Sequence, residues 1–237
     1  MRTETRHQLK QDKFATTAAE TYSWAVEHRN KLIYGGIIAA VALAALLGSW
    51  TYMRHRSEAA SKALGEAMAT YSAPIRPAGM PADTAIRSFA SADERARAAY
   101  GEFAKVADEY SHTQSGAIAR YLAGLTAKEM NDTAKAEDNL KKTADSSDED
   151  LSSLAKLALA GVYRDTNKDA QAIEIYKGLI DHPTRSVAKS TAQLQLAEMY
   201  QAKNQPQDAA KLYEQIRKDD PQGVAAEIAA QNMGATK

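Results

Sequence analysis

The chain has 237 residues and contains no cysteine, few prolines and few β-branched residues. Without cysteine it has no disulfide, no thiolate metal site, no cysteine nucleophile and no lipid-bearing cysteine. Only 6 Pro, 11 Ile and 6 Val stand against 48 Ala. Because alanine is the best helix former and β-branched residues favour strands, the composition predicts an all-α fold and argues against a sandwich, a barrel or a βαβ fold.

The chain also lacks an excess of charge of either sign, with 30 basic and 30 acidic residues. A nucleic-acid-binding protein would normally carry a basic excess, so we expect no nucleic-acid partner. The charge is unevenly spread: residues 1–31 hold six basic and four acidic groups, residues 32–53 hold none, and residues 54–237 hold 24 basic and 26 acidic groups.

The uncharged stretch Leu32–Met53 is 22 residues long. As a helix it would extend about 33 Å, enough to cross a hydrocarbon core of about 30 Å. Aromatic side chains at both ends are typical of the membrane interface; they are Tyr22, Trp24, Tyr34, Trp50 and Tyr52. The segment therefore predicts a single-pass transmembrane helix.

Other interpretations of this stretch are a cleaved signal peptide, a buried core helix, and a helix dimer that packs through small residues such as Gly36 and Ala40. The positively charged residues that flank the stretch number three on each side, so they do not decide its orientation. Residues 12–30 place apolar side chains at helical spacing, which predicts either an amphipathic helix on the membrane surface or a continuation of the span.

A repeated pattern occupies the rest of the chain. The pattern Lys-x2-Leu-Ala-x2-Tyr starts at Lys156 and is followed by Ala-x3-Tyr; a similar pair starts 37 residues later at Gln193, and a degenerate copy lies 36 residues earlier. The small residue of the second helix (helix B) lies nine positions after the last pattern position of the first helix (helix A) in every copy: Ala127 to Ala136, Tyr163 to Ala172, Tyr200 to Ala209.

This register is typical of a tetratricopeptide repeat, in which a small residue lets two helices cross closely. Asn-containing turns separate helix A from helix B, and Ser146–Asp148, His182–Thr184 and Asp219–Pro221 separate the repeats. The expected fold is an all-α chain with a transmembrane helix and an α-solenoid of about three full repeats, a preceding partial repeat and a C-terminal cap helix. The predicted regions are a 1–31 arm, a 32–53 span, a 54–90 helix and Pro-containing loop, and a 91–237 repeat domain.

The combination of a short arm, one N-terminal span and divergent repeats resembles the YfgM-like family of ancillary subunits of the bacterial SecYEG translocon. The segment Thr143–Glu149, followed by a Leu-rich helix A, is similar to the inter-repeat segment of that family. The resemblance implies an inner-membrane protein with a cytoplasmic N-terminus and a periplasmic C-terminal domain. It also implies that the protein associates with the translocon and a periplasmic chaperone and handles newly exported chains.

No pattern typical of an enzyme is found. The five histidines are scattered without a metal-binding spacing, and no phosphate-binding or nucleophile motif occurs. The acidic residues Asp145, Asp148, Glu149 and Asp150 beside Ser146 and Ser147 are interpreted as a solvated turn with N-capping residues; a cation or phosphorylation site is the alternative. We therefore expect no catalysis, no cofactor and no metal.

The candidate site is a surface for protein partners on the A helices. The repeat register places ten side chains on one face, which we call the A-helix face: Ile118, Tyr121, Leu125, Lys128, Leu154, Leu157, Arg164, Leu194, Glu198 and Gln201. This face is either an open peptide-binding groove or is buried between neighbouring helices. The protein is thus expected to be a membrane-anchored interaction module; the alternative is a homo-oligomeric scaffold of a cell-envelope or division complex.

Overall fold

The computed structural model describes residues 21–80 and 87–234. Over these residues it contains helices and one isolated β-bridge, between Ile75 and Phe89, which confirms the all-α prediction. The chain divides into two compact units, Met1–His55 and Arg56–Lys237. Its helices are α1 (Arg29–Tyr71), α2 (Ala92–Glu109), α3 (Gln114–Glu129), α4 (Thr133–Ala144), α5 (Glu149–Asp165), α6 (Asp169–Asp181), α7 (Lys189–Ala202), α8 (Pro206–Asp219) and α9 (Val224–Gly234).

In the first unit, residues 21–27 are helical and α1 begins at Arg29. The apolar stretch of α1 is long enough to cross a membrane, and none of its most apolar window is buried inside the protein. The interpretation of this stretch as a core helix is therefore wrong. Residues 12–20 of the predicted amphipathic segment lie outside the described residues.

In the second unit, the last turns of α1 serve as helix A of the partial first repeat. Leu64 and Ala67 pack with Ala99 and Phe103 of α2 in one hydrophobic cluster. The hydroxyl of Thr70 donates to Glu102 Oε2 at 2.6 Å. The connection from α1 to α2 is closed by backbone hydrogen bonds from Arg76 N to Phe89 O (2.9 Å) and from Phe89 N to Pro74 O (3.1 Å).

Three full repeats follow, in which α3, α5 and α7 are A helices and α4, α6 and α8 are B helices. The small and large B-helix positions that the sequence register selects are all 0–1% exposed: Ala136, Ala172, Ala209, Leu140, Tyr176 and Tyr213. Burial of a small residue with a large one a turn later allows close crossing of the helices. The cap helix α9 packs on α7 and α8, and it buries Ala226 and Ala229.

In each of the three full repeats, an asparagine in the left-handed conformation lies two residues after the end of helix A. The φ angles of Asn131, Asn167 and Asn204 are 58°, 57° and 56°. The residue after each asparagine donates its N–H to a carbonyl five residues earlier, as from Lys168 to Tyr163 (2.8 Å). This is the bond that closes a Schellman-type helix end, and it gives the three repeats the same A-to-B turn.

Tyrosines join the hydrophobic clusters of the second unit to one another. Tyr100 packs against both the N-terminal cluster around Phe103 and the central cluster around Tyr163 and Tyr176. Tyr200 packs against the central cluster and the C-terminal cluster around Tyr213. The repeats therefore share their cores rather than forming separate ones.

Candidate protein-binding surface

The repeat register brings the ten predicted residues onto three consecutive A helices. Helix α3 carries Ile118, Tyr121, Leu125 and Lys128, α5 carries Leu154, Leu157 and Arg164, and α7 carries Leu194, Glu198 and Gln201. All ten side chains are half-buried, so none is fully open to solvent and none is enclosed. The A-helix face is thus neither a fully open groove nor a fully buried surface, which were the two alternatives that the sequence allowed.

The N-terminal halves of the A helices form the apolar part of this face. Ile118 packs against the N-terminal cluster, Leu157 against the central cluster and Leu194 against the C-terminal one. Burial raises the pKa of the Tyr121 hydroxyl above its ordinary value. Each of these side chains therefore contacts the core and remains partly accessible to solvent.

The C-terminal halves of the A helices form the polar part. Lys128 Nζ on α3 lies 3.0 Å from Asp165 Oδ2 on α5. Helix α5 is in turn joined to α7, because Arg164 Nη1 donates to Gln195 Oε1 at 3.2 Å. Gln195 Nε2 then donates to Glu198 Oε2 at 3.0 Å. A chain of polar contacts thus links the three A helices.

Gly161 makes room for the first of these contacts. A Cβ at this position would lie 3.1 Å from Lys128 Nζ, so the ammonium group passes directly over the bare backbone of α5. Burial acts to raise the pKa of Asp165, but the Lys128 and Arg164 cations outweigh it and hold the pKa below its ordinary value. The carboxylate therefore stays ionised and paired.

The sequence prediction missed three polar residues of this surface: Glu129, Asp165 and Gln195. Glu129 accepts a hydrogen bond from the hydroxyl of Tyr71 on α1, at the N-terminal end of the array. Glu129 and Asp165 are 36 residues apart and so occupy equivalent repeat positions. Each directly follows a residue that the register had selected, Lys128 or Arg164, so including the next position of each repeat would have found both.

Two carboxylates of the acidic stretch at 145–150 have structural roles in the described chain. Asp148 caps α5, accepting a hydrogen bond from Leu151 N at 3.1 Å. Asp150 accepts one from Ser186 N at 3.1 Å in the next inter-repeat loop. This backbone hydrogen bond lowers the pKa of Asp150 despite partial desolvation, and Arg185 lowers it further.

Comparisons with known proteins agree with this architecture. A family model described as a tetratricopeptide repeat-like domain matches residues 22–178, and one described as a tetratricopeptide repeat matches residues 191–223. No curated protein and no solved structure was found to match the chain. Repeat families of this kind are typically non-catalytic and use extended surfaces to bind other proteins. Since the first match covers well over half of the residues, the chain belongs to the tetratricopeptide repeat-like domain family of protein–protein interaction modules.

Proposed function

We propose that the protein is a membrane-anchored interaction module that binds a protein partner through the A-helix face. The observation that carries this proposal is the half-burial of all ten predicted side chains on three helices that polar contacts link to one another. A surface that is ordered before binding loses little conformational entropy when a partner docks. The apolar part would supply the buried contact area, and the polar part the orientation.

The anchor would keep the repeats close to a membrane complex, which raises their effective concentration there. The family match begins at residue 22 and continues through the apolar stretch into the repeats. This continuity supports retention of the span in the mature protein. Together with the resemblance to translocon subunits, it leads us to propose an inner-membrane location, a periplasmic repeat domain, and a role beside the Sec translocon and a periplasmic chaperone in handling exported chains.

Co-purification tests the binding surface. Leu157→Glu combined with Leu194→Glu should preserve the helical content but remove the partner, because two charges would have to be desolvated in the apolar part. The matched control is Gln171→Glu with Gln207→Glu, which adds the same charge at exposed positions of B helices. If the partner is retained by the Leu157/Leu194 variant, the A-helix face is not the binding surface.

Crosslinking in intact cells tests the partner and the location. A photo-crosslinking residue at Leu125 should yield adducts with translocon subunits or exported chains, whereas one at Gln171 should yield few. Adducts only between two copies of the chain would favour the scaffold alternative. Protease added to spheroplasts should digest residues after the span; protection of these residues would place them in the cytoplasm and contradict the translocon role.

A further inference from the structure

A cleft of about 1170 Å³ opens in the second repeat, on a different face of α5 from the A-helix face. It lies between the C-terminal ends of α4 and α6, with the N-terminal half of α5 beneath it. Its floor is apolar and includes Ala144, Leu159, Ile175 and Leu179. The hydroxyl of Ser152, which also lines the cleft, donates to the carbonyl of Ala144 at 2.6 Å.

The second repeat differs from the third at two positions that line the cleft. In the third repeat Gln193 on α7 is 1% exposed, and its Nε2 donates to Gln215 Oε1 on α8 at 3.5 Å. The positions 37 residues earlier are Lys156 and Gly178. Lys156 is exposed, and a Cβ at Gly178 would meet nothing within 4 Å. The second repeat therefore lacks the pair of side chains that joins A and B helices in the third.

The rim of the cleft is acidic. Asp145, Glu149 and Asp181 line it, are exposed, and have no hydrogen-bond or ion-pair partner for their carboxylates within the described part of the chain. Of the two lysines that line the cleft, Lys141 is already paired with Glu137. Among the described residues, three unpaired carboxylates thus line the cleft together with one unpaired ammonium group, that of Lys156, and the imidazole of His182.

We infer that this cleft is a second docking site, and that its occupant is a protein segment with large apolar side chains flanked by lysine or arginine. The apolar floor would take the central side chains, and the rim carboxylates would pair with the flanking cations. The site goes beyond the proposed binding role of the A-helix face, since it shares no residue with that face.

The test uses the full chain in phosphatidylcholine nanodiscs and fluorescein-labelled peptides, followed by fluorescence polarisation. The peptide Lys-Lys-Leu-Trp-Leu-Lys-Lys should bind saturably, and Glu-Glu-Leu-Trp-Leu-Glu-Glu and Lys-Lys-Ser-Ser-Ser-Lys-Lys should bind at least about tenfold more weakly. Empty nanodiscs correct for binding to lipid. Absence of saturable binding, or equal binding of either of the other peptides, overturns the inference.

Two variants locate the site. Lys156→Gln with Gly178→Gln reproduces the pair of the third repeat and should weaken binding at least about tenfold, because the pair would join α5 to α6 across the cleft. Asp145→Asn with Glu149→Gln and Asp181→Asn should weaken binding about tenfold. The matched control, Glu174→Gln with Glu214→Gln and Glu227→Gln, removes the same charge at exposed positions elsewhere and should leave binding unchanged.

The A-helix-face variant Leu157→Glu with Leu194→Glu should also retain peptide binding, which separates failure of this inference from failure of the proposed function. Loss of peptide binding in that variant, with binding retained in the Lys156/Gly178 variant, would place the peptide on the A-helix face and overturn the second site.

Discussion

Gly124 on α3 lies directly against Leu140 on α4, so that a Cβ at position 124 would stand 2.7 Å from Leu140 Cγ. Leu140 is fully buried and belongs to the central cluster. The close crossing of helices A and B in the first full repeat therefore depends on the missing side chain of Gly124 as well as on the small side chain of Ala136.

Gly124→Ala should destabilise the repeat domain by about 1–3 kcal/mol, because overpacking outweighs the better helix propensity of alanine. Gly101→Ala is the matched control, since Gly101 lies within α2 with nothing within 4 Å of an added Cβ. It should stabilise the domain by about 0.5–1 kcal/mol. Thermal unfolding followed by circular dichroism would show shifts of opposite sign; two shifts of the same sign would contradict the packing argument.

Asn167→Ala should cost about 1 kcal/mol, because the φ of 57° is unfavourable for a residue with a Cβ and without a short amide side chain. Asn167→Gly should cost less, since glycine adopts this conformation freely. At Asn131 and Asn204 we likewise expect the Ala variant to be less stable than the Gly variant. Chemical denaturation of the purified chain would measure these differences, and equal stability of the Ala and Gly variants would argue against a left-handed requirement.

Glu137→Gln should lower stability by about 1 kcal/mol at neutral pH. Hydrogen bonds from Lys141 and Lys168 lower the pKa of Glu137 below its ordinary value of 4.5, although burial acts in the opposite direction. A carboxylate whose pKa is lowered by folding stabilises the protein above its unfolded pKa, and this contribution is lost as the pH falls through the folded pKa. The difference from the Gln variant should therefore vanish as the pH falls well below 4.5.

The control for this prediction is Glu174→Gln on α6, where the carboxylate is exposed and has no ion-pair partner within the described residues. The effect of Glu174→Gln on stability should be small both at neutral pH and well below pH 4.5. A difference between Glu137→Gln and the unmodified protein that persists in acid would show that the lost contact is not ionic.

Leu43→Arg combined with Leu46→Arg should remove much of the protein from the membrane fraction. Both leucines lie in the exposed apolar part of α1, and a central arginine costs about 2.5–3.5 kcal/mol for insertion. Ser57→Arg with Ser61→Arg adds the same charge beyond the apolar stretch and should leave the distribution unchanged. Alkaline extraction of membranes measures both; membrane retention of the first variant would weaken the anchor proposal.

Sequence periodicity predicted the repeat helices because their spacing is set by local residues such as Ala172 and Tyr176, whose burial repeats in every copy. It did not predict that the end of α1 supplies helix A of the partial repeat. Leu64 and Ala67 pack on α2 across a connection of about twenty residues, so their role depends on tertiary contact rather than on a fixed offset. The backbone closure of this connection between Arg76 and Phe89 was not predicted either.

The register predicted which helices carry the residues of the candidate surface, but not how far their side chains are exposed. The register places Leu157 and Leu194 on one face, whereas the degree of burial follows from how closely neighbouring helices approach. The cleft was not predicted at all. The difference between Gly178 and Gln215 has meaning only when the side chain of Gln193 is known to reach across to α8.

The position of Tyr100 and Tyr200, each shared between two clusters, has a consequence for how the array melts. When one repeat unfolds, such a tyrosine loses its contacts with that repeat while it still packs against the cluster of the neighbouring repeat. Local unfolding of one repeat therefore costs contacts in two clusters. We expect the backbone amides of α3, α5 and α7 to be protected from hydrogen exchange to a similar degree. A ligand that orders one end of the array would then slow opening at the other, so occupancy at separate sites can be linked without any change of shape.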